Sequence, residues 1–553
     1  MLKLIWRCIK SRKYIFIFSI GYFLIRLIML DSYFFLRDER DLILTALSLA
    51  QTGKDLYGNV FPLIFSRISP QAPLLGMYWV VPIISLLHIS SPIVVKMLYL
   101  LPTLFFPVLA FELIKSITKE DKISFLTAFV VSFSPWYFHI ARLGIEAHLA
   151  YFFCLLGLIM YLYEKKCVGL IFLVLSYFSY FGIRPFILIV VPYIELWHYF
   201  FNFKKDWKKT AISLVIFIVL FGSVFLLSSR IEQTAARSSA EVIFLNRDKL
   251  TLDTNFLRAI SDAPFFMRKF FDNKIYIVLN TIFNNFFKGI DFSYLFSTGD
   301  YVSIYANQIM GQFFPFLCVF LTFGICYLAK KKRSGYYFIA SLSLVGLVSS
   351  LINSYSLTFS VRSVLSLIGI GFICALGIVY VYELCNKRWK LPFIMSVIFL
   401  YSFFSGIFIY KYLFQNYKLM NEAFNEQERF MANYSTDQNI QKMIVSNIHS
   451  YFLSYLSTIP SLSPKIFLQV QEELNKSDGY LLNGHNFLQC NAGRINIVRI
   501  DKFPISTLIE ETCLSAKTKI FIEINKPKNV IKLLNPQYNK GDVNRGVKYY
   551  FFK

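Results

Sequence analysis

Apolar residues run in long blocks along the chain, and polar residues collect between them. The blocks lie at about 14–30, 92–114, 123–140, 146–163, 167–183, 185–201, 210–228, 308–329, 335–352, 361–383 and 391–414. A helix needs about 20 apolar residues to cross a hydrocarbon core, and several blocks approach that length. The pattern predicts an α-helical polytopic membrane protein with about 11 transmembrane helices over residues 1–414. Between the first two blocks, Pro73 to Leu87 is apolar but short, and reads as a helix lying at the interface. After residue 414 the texture changes. Lys465–Val470, Asn496–Ile500 and Lys519–Ile524 are β-rich with partial alternation, and helical patterns sit at about 418–432 and 437–457. Residues 415–553 are thus expected to form a small C-terminal α/β domain.

Lysine and arginine then set the orientation. Basic clusters fall at Lys3/Arg7/Lys10/Arg12/Lys13, Lys115/Lys119/Lys122, Lys165/Lys166, Lys204/Lys205/Lys208/Lys209, Lys330/Lys331/Lys332/Arg333 and Lys387/Arg388/Lys390. With eleven spans and a cytoplasmic N-terminus, all six clusters face the cytoplasm. The loops 31–91 and 229–307 and the tail are then extracytoplasmic. The first block begins basic, like a signal peptide. It ends in Met29-Leu30-Asp31 without a small-residue cleavage site, so a retained helix is expected.

Composition sharpens this picture. Hydrophobic residues make up 56% of the chain and charged residues only 16%, against about a quarter charged in soluble domains. The 60 Phe and 35 Tyr suit lipid-facing and interfacial surfaces. The net charge of +24 would suggest nucleic acid in a soluble chain. Here the basic residues cluster in short loops, which suits an anionic leaflet, so no nucleic-acid partner is expected. A chain rich in Ile, Lys, Asn and Phe fits an AT-rich genome and a bacterial plasma (inner) membrane. The nine Cys show no CxxC spacing, and seven lie in or beside apolar blocks. Cys490 and Cys513 both fall in the tail, where a disulfide and two unpaired thiols are alternative readings.

Three constellations could carry chemistry. Arg37-Asp38-Glu39-Arg40-Asp41 follows the first block. Adjacent carboxylates near a membrane surface can act as a general base or metal ligand, and can equally be an exposed loop whose charges cancel. Arg142, Glu146 and His148 lie between the third and fourth blocks, where charge is costly unless it faces protein or water. Arg142 and Glu146, four apart, could simply pair on one helix face. Arg362 and Arg184 stand at span starts, where an arginine can snorkel to headgroups or clamp a phosphate. Pro185 after Arg184 suits a first helical turn. No Walker, dinucleotide or HExxH motif is present. An outward-facing site without a nucleotide cradle would need an activated substrate from the membrane.

The motif order is distinctive. A basic N-terminus and one span precede Asp38-Glu39, then Ala50-Gln51-Thr52-Gly53, Asp55-Leu56-Tyr57-Gly58, Phe61-Pro62-Leu63 and Ala72-Pro73-Leu74-Leu75. Further on come the Arg142–His148 segment, Phe292-Ser293-Tyr294-Leu295-Phe296 with Gly299-Asp300, and Ser360-Val361-Arg362-Ser363. This arrangement resembles the GT-C superfamily of membrane glycosyltransferases, in particular its family 39, protein O-mannosyltransferase and aminoarabinose-transferase-like members. The likeness of topology covers roughly residues 1–415 and the motifs about 60 residues; the tail carries no motif of the family.

The resemblance implies transfer of a sugar from a polyprenyl-phosphate carrier to a lipid, glycan or protein acceptor on the outer face. Asp38 matches the family's catalytic acidic position, with Glu39 beside it. Arg142, Glu146, His148, Arg184 and Arg362 become candidates for substrate binding, with Arg362 foremost for the carrier phosphate. There is one departure. Aminoarabinose-type members carry Glu-Lys-Pro-Pro before the interfacial helix, where this chain has Pro70-Gln71-Ala72-Pro73. That Glu and Lys serve metal and phosphate in the family, so a divalent metal stays open here and the phosphate contact shifts to arginine.

Two other classes compete with an enzyme. A transporter should show charged or broken helices near mid-membrane and two similar halves; the candidate charges here sit at outer ends, and no halves are evident. A non-enzymatic envelope assembly protein would use the tail as its binding module.

Overall fold

The computed structural model describes residues 13–30, 36–55, 58–62, 74–201, 207–229, 239–300, 307, 309–354 and 360–416, together with 442–446, 488–490, 493–498, 518–523 and 549–550 in the tail. The chain forms two compact units. One comprises Met1–Tyr33, Ile64–Trp79 and Lys96–Ala423; the other comprises Phe34–Leu63, Val80–Val95 and Phe424–Lys553.

The first unit is a helical bundle, and helices occupy most of the apolar blocks, although in the block 308–329 helix begins only at Leu317. Among the described residues, five helices are long and apolar enough to cross a membrane: Pro92–Thr118, Phe181–Phe201, Ser334–Leu351, Val364–Leu384 and Lys387–Gln415. Shorter apolar helices include Tyr14–Leu27, Ala147–Leu162, Lys166–Tyr177 and Thr210–Leu226. One block is broken for a local reason. The stretch 123–140 splits into Asp121–Ser132 and Pro135–Ile140. Pro135 cannot donate a backbone hydrogen bond, and Ser134 caps the new helix by accepting from the Tyr137 N–H at 3.1 Å. The expected interfacial stretch also divides, into Leu74–Tyr78 and Val81–Leu86, with Pro82 in the first turn of the second piece.

Val364–Leu384 is the hub of the bundle, packing on Leu317–Lys331, Ser334–Val345 and Asp121–Ser132. Lipid tails are as apolar as leucine, so helices in a membrane associate through close packing rather than burial from water. Gly324 and Gly377 provide that closeness. A Cβ on Gly324 would overlap the Ile373 carbonyl, and one on Gly377 the Phe320 carbonyl.

The basic loops of this unit are tied together at one end. Arg333 pairs with Glu120, which also accepts from Tyr336 Oη at 2.7 Å. Lys119 lies 5.8 Å from the Tyr163 ring. Lys166 bonds Glu195 at 2.7 Å and Ser213 at 2.9 Å, while Tyr161 donates to the same Glu195 at 2.5 Å. Lys331 reaches Glu383 at 3.9 Å, and Lys390 lies over the Tyr382 ring.

Toward the opposite end stand three helices of the second large loop: Arg247–Ile260, Phe265–Phe271 and Lys274–Ile290. Ile277, Thr281, Asn285 and Gly289 form the buried face of the last. Asn285 Nδ2 donates to the carbonyls of Ser350, Leu351 and Asn353 at 3.1–3.2 Å. Phe265, Phe266, Phe270, Phe271, Ile275 and Phe283 are exposed.

In the second unit, helix Arg37–Thr52 closes at Gly53, whose φ of +71° suits a residue without Cβ and whose N–H bonds Leu49 O at 3.0 Å. Asp55 then holds Asn59 through both carboxylate oxygens, at 2.8 and 3.0 Å. Ser85 donates to Ala50 O at 3.2 Å, fastening Val81–Leu86 to the first helix. The tail contributes five strands: β1 (Lys442–Ser446), β2 (Leu488–Cys490), β3 (Gly493–Val498), β4 (Thr518–Glu523) and β5 (Tyr549–Tyr550). They form one sheet in the order β2-β3-β1-β4-β5, with β1 parallel to both neighbours and the outer pairs antiparallel.

β3 and β4 match two expected strands. The helix expected over 437–457 is contradicted by β1. Lys442-Met443-Ile444-Val445 is a short apolar run, and such a run in a central parallel strand cannot be told from helix by period alone. The strand at Lys465–Val470, the helix at 418–432, Pro70–Pro73 and Cys513, hence the disulfide, lie outside the described residues.

The glycine contact predicts a clear mutational contrast. Gly377→Ala should destabilise the detergent-solubilised protein by about 1–3 kcal/mol, the usual scale of overpacking. Gly406→Ala, where a Cβ meets nothing within 4 Å, should leave the melting temperature unchanged. Thermal unfolding of the two variants side by side decides it.

Candidate functional site

The expected site residues of the bundle gather at the end away from the basic loops. Arg142 is built from a turn. Residues 141–146 are not helical, and a new helix starts at Ala147. Arg142 and Glu146 therefore do not share the single helix face on which the spacing would have let them pair. After Ile140 the chain folds back, with Arg142 N–H bonding His139 O at 3.0 Å and Leu143 N–H bonding Ile140 O at 3.1 Å. His148 secures the turn through Nε2, 2.7 Å from Leu143 O.

That turn aims the Arg142 guanidinium at the end of helix Lys13–Leu27. Its Nη1 donates to the carbonyls of Arg26 at 2.6 Å and Ile28 at 2.8 Å, and its Nη2 to Met29 O at 3.0 Å. The last carbonyls of a helix lack intrahelical partners and carry the negative end of the dipole, so a cation there satisfies both. Arg142 also lies 5.5 Å from the ring of Tyr412, whose hydroxyl is 2.8 Å from His139 Nδ1.

Arg26 stands beside this group and is 1% exposed. Its Nε donates to Tyr22 O at 3.3 Å, and its guanidinium lies 4.8, 5.7 and 5.2 Å from the rings of Tyr22, Phe23 and Tyr137. The motif reading passed over this residue because it sits inside the first apolar block. A signal was available, since an ionisable residue within a span is itself a mark of function.

A second group forms around Tyr151. Its ring meets Tyr180 edge-on at 6.3 Å, and it lies in the electrostatic field of both Glu146 and Arg362. Glu146 is buried, with Gly76 packed directly against it: a Cβ there would come 2.6 Å from the Glu146 Cβ and from Ser179 O. Arg362 Nη2 pairs with Glu241 Oε2 at 2.7 Å. The backbone reinforces that pair, since Ser354 N–H bonds Glu241 O at 2.7 Å and Ile243 N–H bonds Ile352 O at 2.8 Å. Close by in sequence, Ser360 N–H donates to Asp300 Oδ2 at 2.5 Å and Trp136 Nε1 to Ser360 O at 3.2 Å. The Gly299-Asp300 and Ser360–Ser363 motifs thus meet.

Arg184 keeps different company. Its Nε donates to Tyr177 O at 3.1 Å, and its guanidinium stacks 3.8 Å from the Phe181 ring and 4.4 Å from that of Tyr177.

Asp38 and Glu39 belong to the second unit, in the first turn of Arg37–Thr52. Glu39 is fully buried and caps the helix, accepting from the Leu36 N–H at 2.8 Å. Asp38, adjacent in sequence, points elsewhere and is half-buried. Arg40 and Asp41 pair at 3.3 Å and are buried. Among the described residues, no group of three His, Cys, Asp or Glu side chains could hold a metal ion.

No family model matches the chain, and no curated protein matches it in sequence. Solved structures do. The oligosaccharyltransferase of Archaeoglobus fulgidus in its apo form gives a TM-score of 0.43 at 10% identity, covering 82% of this chain and 61% of that one. The chain thus spans less than two thirds of that protein's length. ArnT from Cupriavidus metallidurans gives 0.44 at 8% identity in the apo state, over 81% of this chain and 85% of that one. Its undecaprenyl phosphate-bound form gives 0.42 at 9% identity, over 92% of each chain. Both neighbours are membrane glycosyltransferases of the GT-C superfamily.

The Arg362–Glu241 pair is testable by a double-mutant cycle. Its side chains are 13% and 18% exposed, so the coupling should exceed the few tenths of a kcal/mol typical of surface pairs and reach about 1 kcal/mol. Melting temperatures of Arg362→Ala, Glu241→Ala and the double variant measure it.

Proposed function

We propose that the protein transfers a sugar from a polyprenyl-phosphate carrier to a lipid, glycan or protein acceptor on the outer face of a bacterial plasma membrane. In this reading residues 1–414 form an eleven-span transferase domain with a cytoplasmic N-terminus, and residues 415–553 an extracytoplasmic α/β domain. The observation that carries it is the segregation of charge in the bundle. Basic loops are tied together at one end, while Arg26, Arg142, Glu146, His148 and Arg362 gather away from them. Buried ionisable groups in a membrane protein are costly and mark a working site. The motif order from Asp38 to Arg362 supplies the reaction class.

The chemistry is direct displacement at the anomeric carbon. The acceptor oxygen forms the new bond to that carbon as the bond to the phosphate oxygen breaks. The electron pair leaves on the phosphate, and the acceptor's proton passes to the Asp38 carboxylate. Asp38 suits this role because it is half-buried rather than enclosed. General-base help of this kind is worth about 10²–10⁴-fold. Arginine beside the departing phosphate would stabilise the charge that develops there.

Asp38→Asn should reduce turnover of a lipid-linked sugar by about that factor without changing expression or melting temperature. Glu39→Gln should be milder, because a glutamine oxygen can still accept from the Leu36 N–H. Near-normal turnover in Asp38→Asn would remove Asp38 from the base role.

A further inference from the structure

The helix Lys274–Ile290 is built inside out. Ile277, Thr281, Asn285 and Gly289 form its buried face. Ile275, Leu279, Phe283 and Phe287, also four apart, are 50–71% exposed. Two residues advance a helix by about 200°, so the two rows lie on opposite sides. A helix bounded by water turns its apolar row inward. Here the row with Thr, Asn and Gly packs on protein, and the row of Ile, Leu and Phe faces away. The helices before it continue the pattern. Phe266 and Phe270 are exposed, and no residue of Phe265–Phe271 is buried. In Arg247–Ile260, Leu252 and Phe256 are exposed while Leu250 and Thr254 are buried. An apolar surface this continuous marks a place of interaction.

The attachment of the helix says what covers that surface. Asn285 Nδ2 holds it to the carbonyls of Ser350, Leu351 and Asn353. Gly289 packs on Leu347, so closely that a Cβ would come 2.9 Å from its side chain. Ser350 and Leu351 are the last residues of the span Ser334–Leu351. The outward row therefore stands at the height where that span leaves the hydrocarbon, and the apolar medium at that height is the bilayer. Charge narrows the choice of lipid. Residues 265–290 carry Arg268, Lys269, Lys274 and Lys288 against one acid, Asp272. Arg268 is engaged with Arg258 O at 3.2 Å. Lys269 is exposed, and Lys274, also exposed, gives one N–H to Thr251 Oγ1 at 2.9 Å. Lysines flanking seated rings keep their ammonium groups among the headgroups, where an anionic phosphodiester attracts them. We propose that Phe265–Phe271 and Lys274–Ile290 form a lipid-binding foot, which seats the large loop on the bilayer and prefers anionic phospholipid. This seat is separate from the transfer chemistry and does not depend on it.

The test uses the full-length protein in liposomes of phosphatidylcholine and phosphatidylglycerol, one or the other carrying a diazirine in its acyl chain. After illumination, lipid-labelled peptides are counted by mass spectrometry and normalised to the lipid-facing span Lys387–Lys411. Both lipids should label residues 265–290, and phosphatidylglycerol should exceed phosphatidylcholine by about fivefold or more. Lys269→Gln with Lys274→Gln should bring the two lipids to parity. Phe270→Ser with Phe283→Ser should lower labelling by both lipids about tenfold. If residues 265–290 label no more than the buried helix Ala147–Leu162, the foot is overturned. Equal labelling by the two lipids in the unsubstituted protein removes the anionic preference and overturns the proposal as stated. Cross-links from residues 265–290 to a second copy in place of lipid would make this face a protein interface and overturn it too. Should the double lysine variant not fold, Lys269→Gln decides alone: an unchanged excess of phosphatidylglycerol overturns the proposal, and a reduced one supports it.

Discussion

The bundle depends on the contact between Leu317–Lys331 and Val364–Leu384. Water does not drive these helices together, so the backbones must come close enough for dispersion and dipolar contacts to hold them. Gly324 and Gly377 permit that approach, each facing the other helix's carbonyls. The consequence reaches the charged end. Ser360 and Arg362 lie directly before Val364–Leu384, so the seating of that helix sets where Arg362 meets Glu241 and where Ser360 meets Asp300 and Trp136.

A second theme is the use of side chains to satisfy backbone ends. Arg142 serves the carbonyls that close the first helix, and Asn285 serves three carbonyls around Ser350–Asn353. Away from water such groups need partners from the protein itself. Ordering a loop by these bonds also fixes the loop's side chains, which is how a turn such as 141–146 can present both Arg142 and Glu146.

Much of the helical architecture was legible because apolar blocks in a membrane are long and charge-poor. The break at Ser134-Pro135 was also written in the chain, as a cap followed by a proline, but it lay inside a block otherwise uniform in hydropathy. The spacing of Arg142 and Glu146 allowed a shared face, but a four-residue separation gives one only on a helix, and residues 141–146 are not helical. β1 misled for the converse reason, since its partners Arg494–Val498 and Thr518–Phe521 are far away in sequence. Arg26 was visible as a charge within a span, but nothing local shows that its nitrogens face rings rather than a carboxylate. Glu39 reads as half of a carboxylate pair until its bond to the Leu36 N–H shows a helix cap.

The helices Phe265–Phe271 and Lys274–Ile290 display phenylalanines outward, with Arg268, Lys269, Lys274 and Lys288 among them. Such a surface is comfortable on the flat boundary between headgroups and chains, where rings sink and ammonium groups stay wet. A small micelle presents strong curvature instead. Nanodiscs with anionic lipid restore that flat boundary and so suit assays that involve residues 265–290.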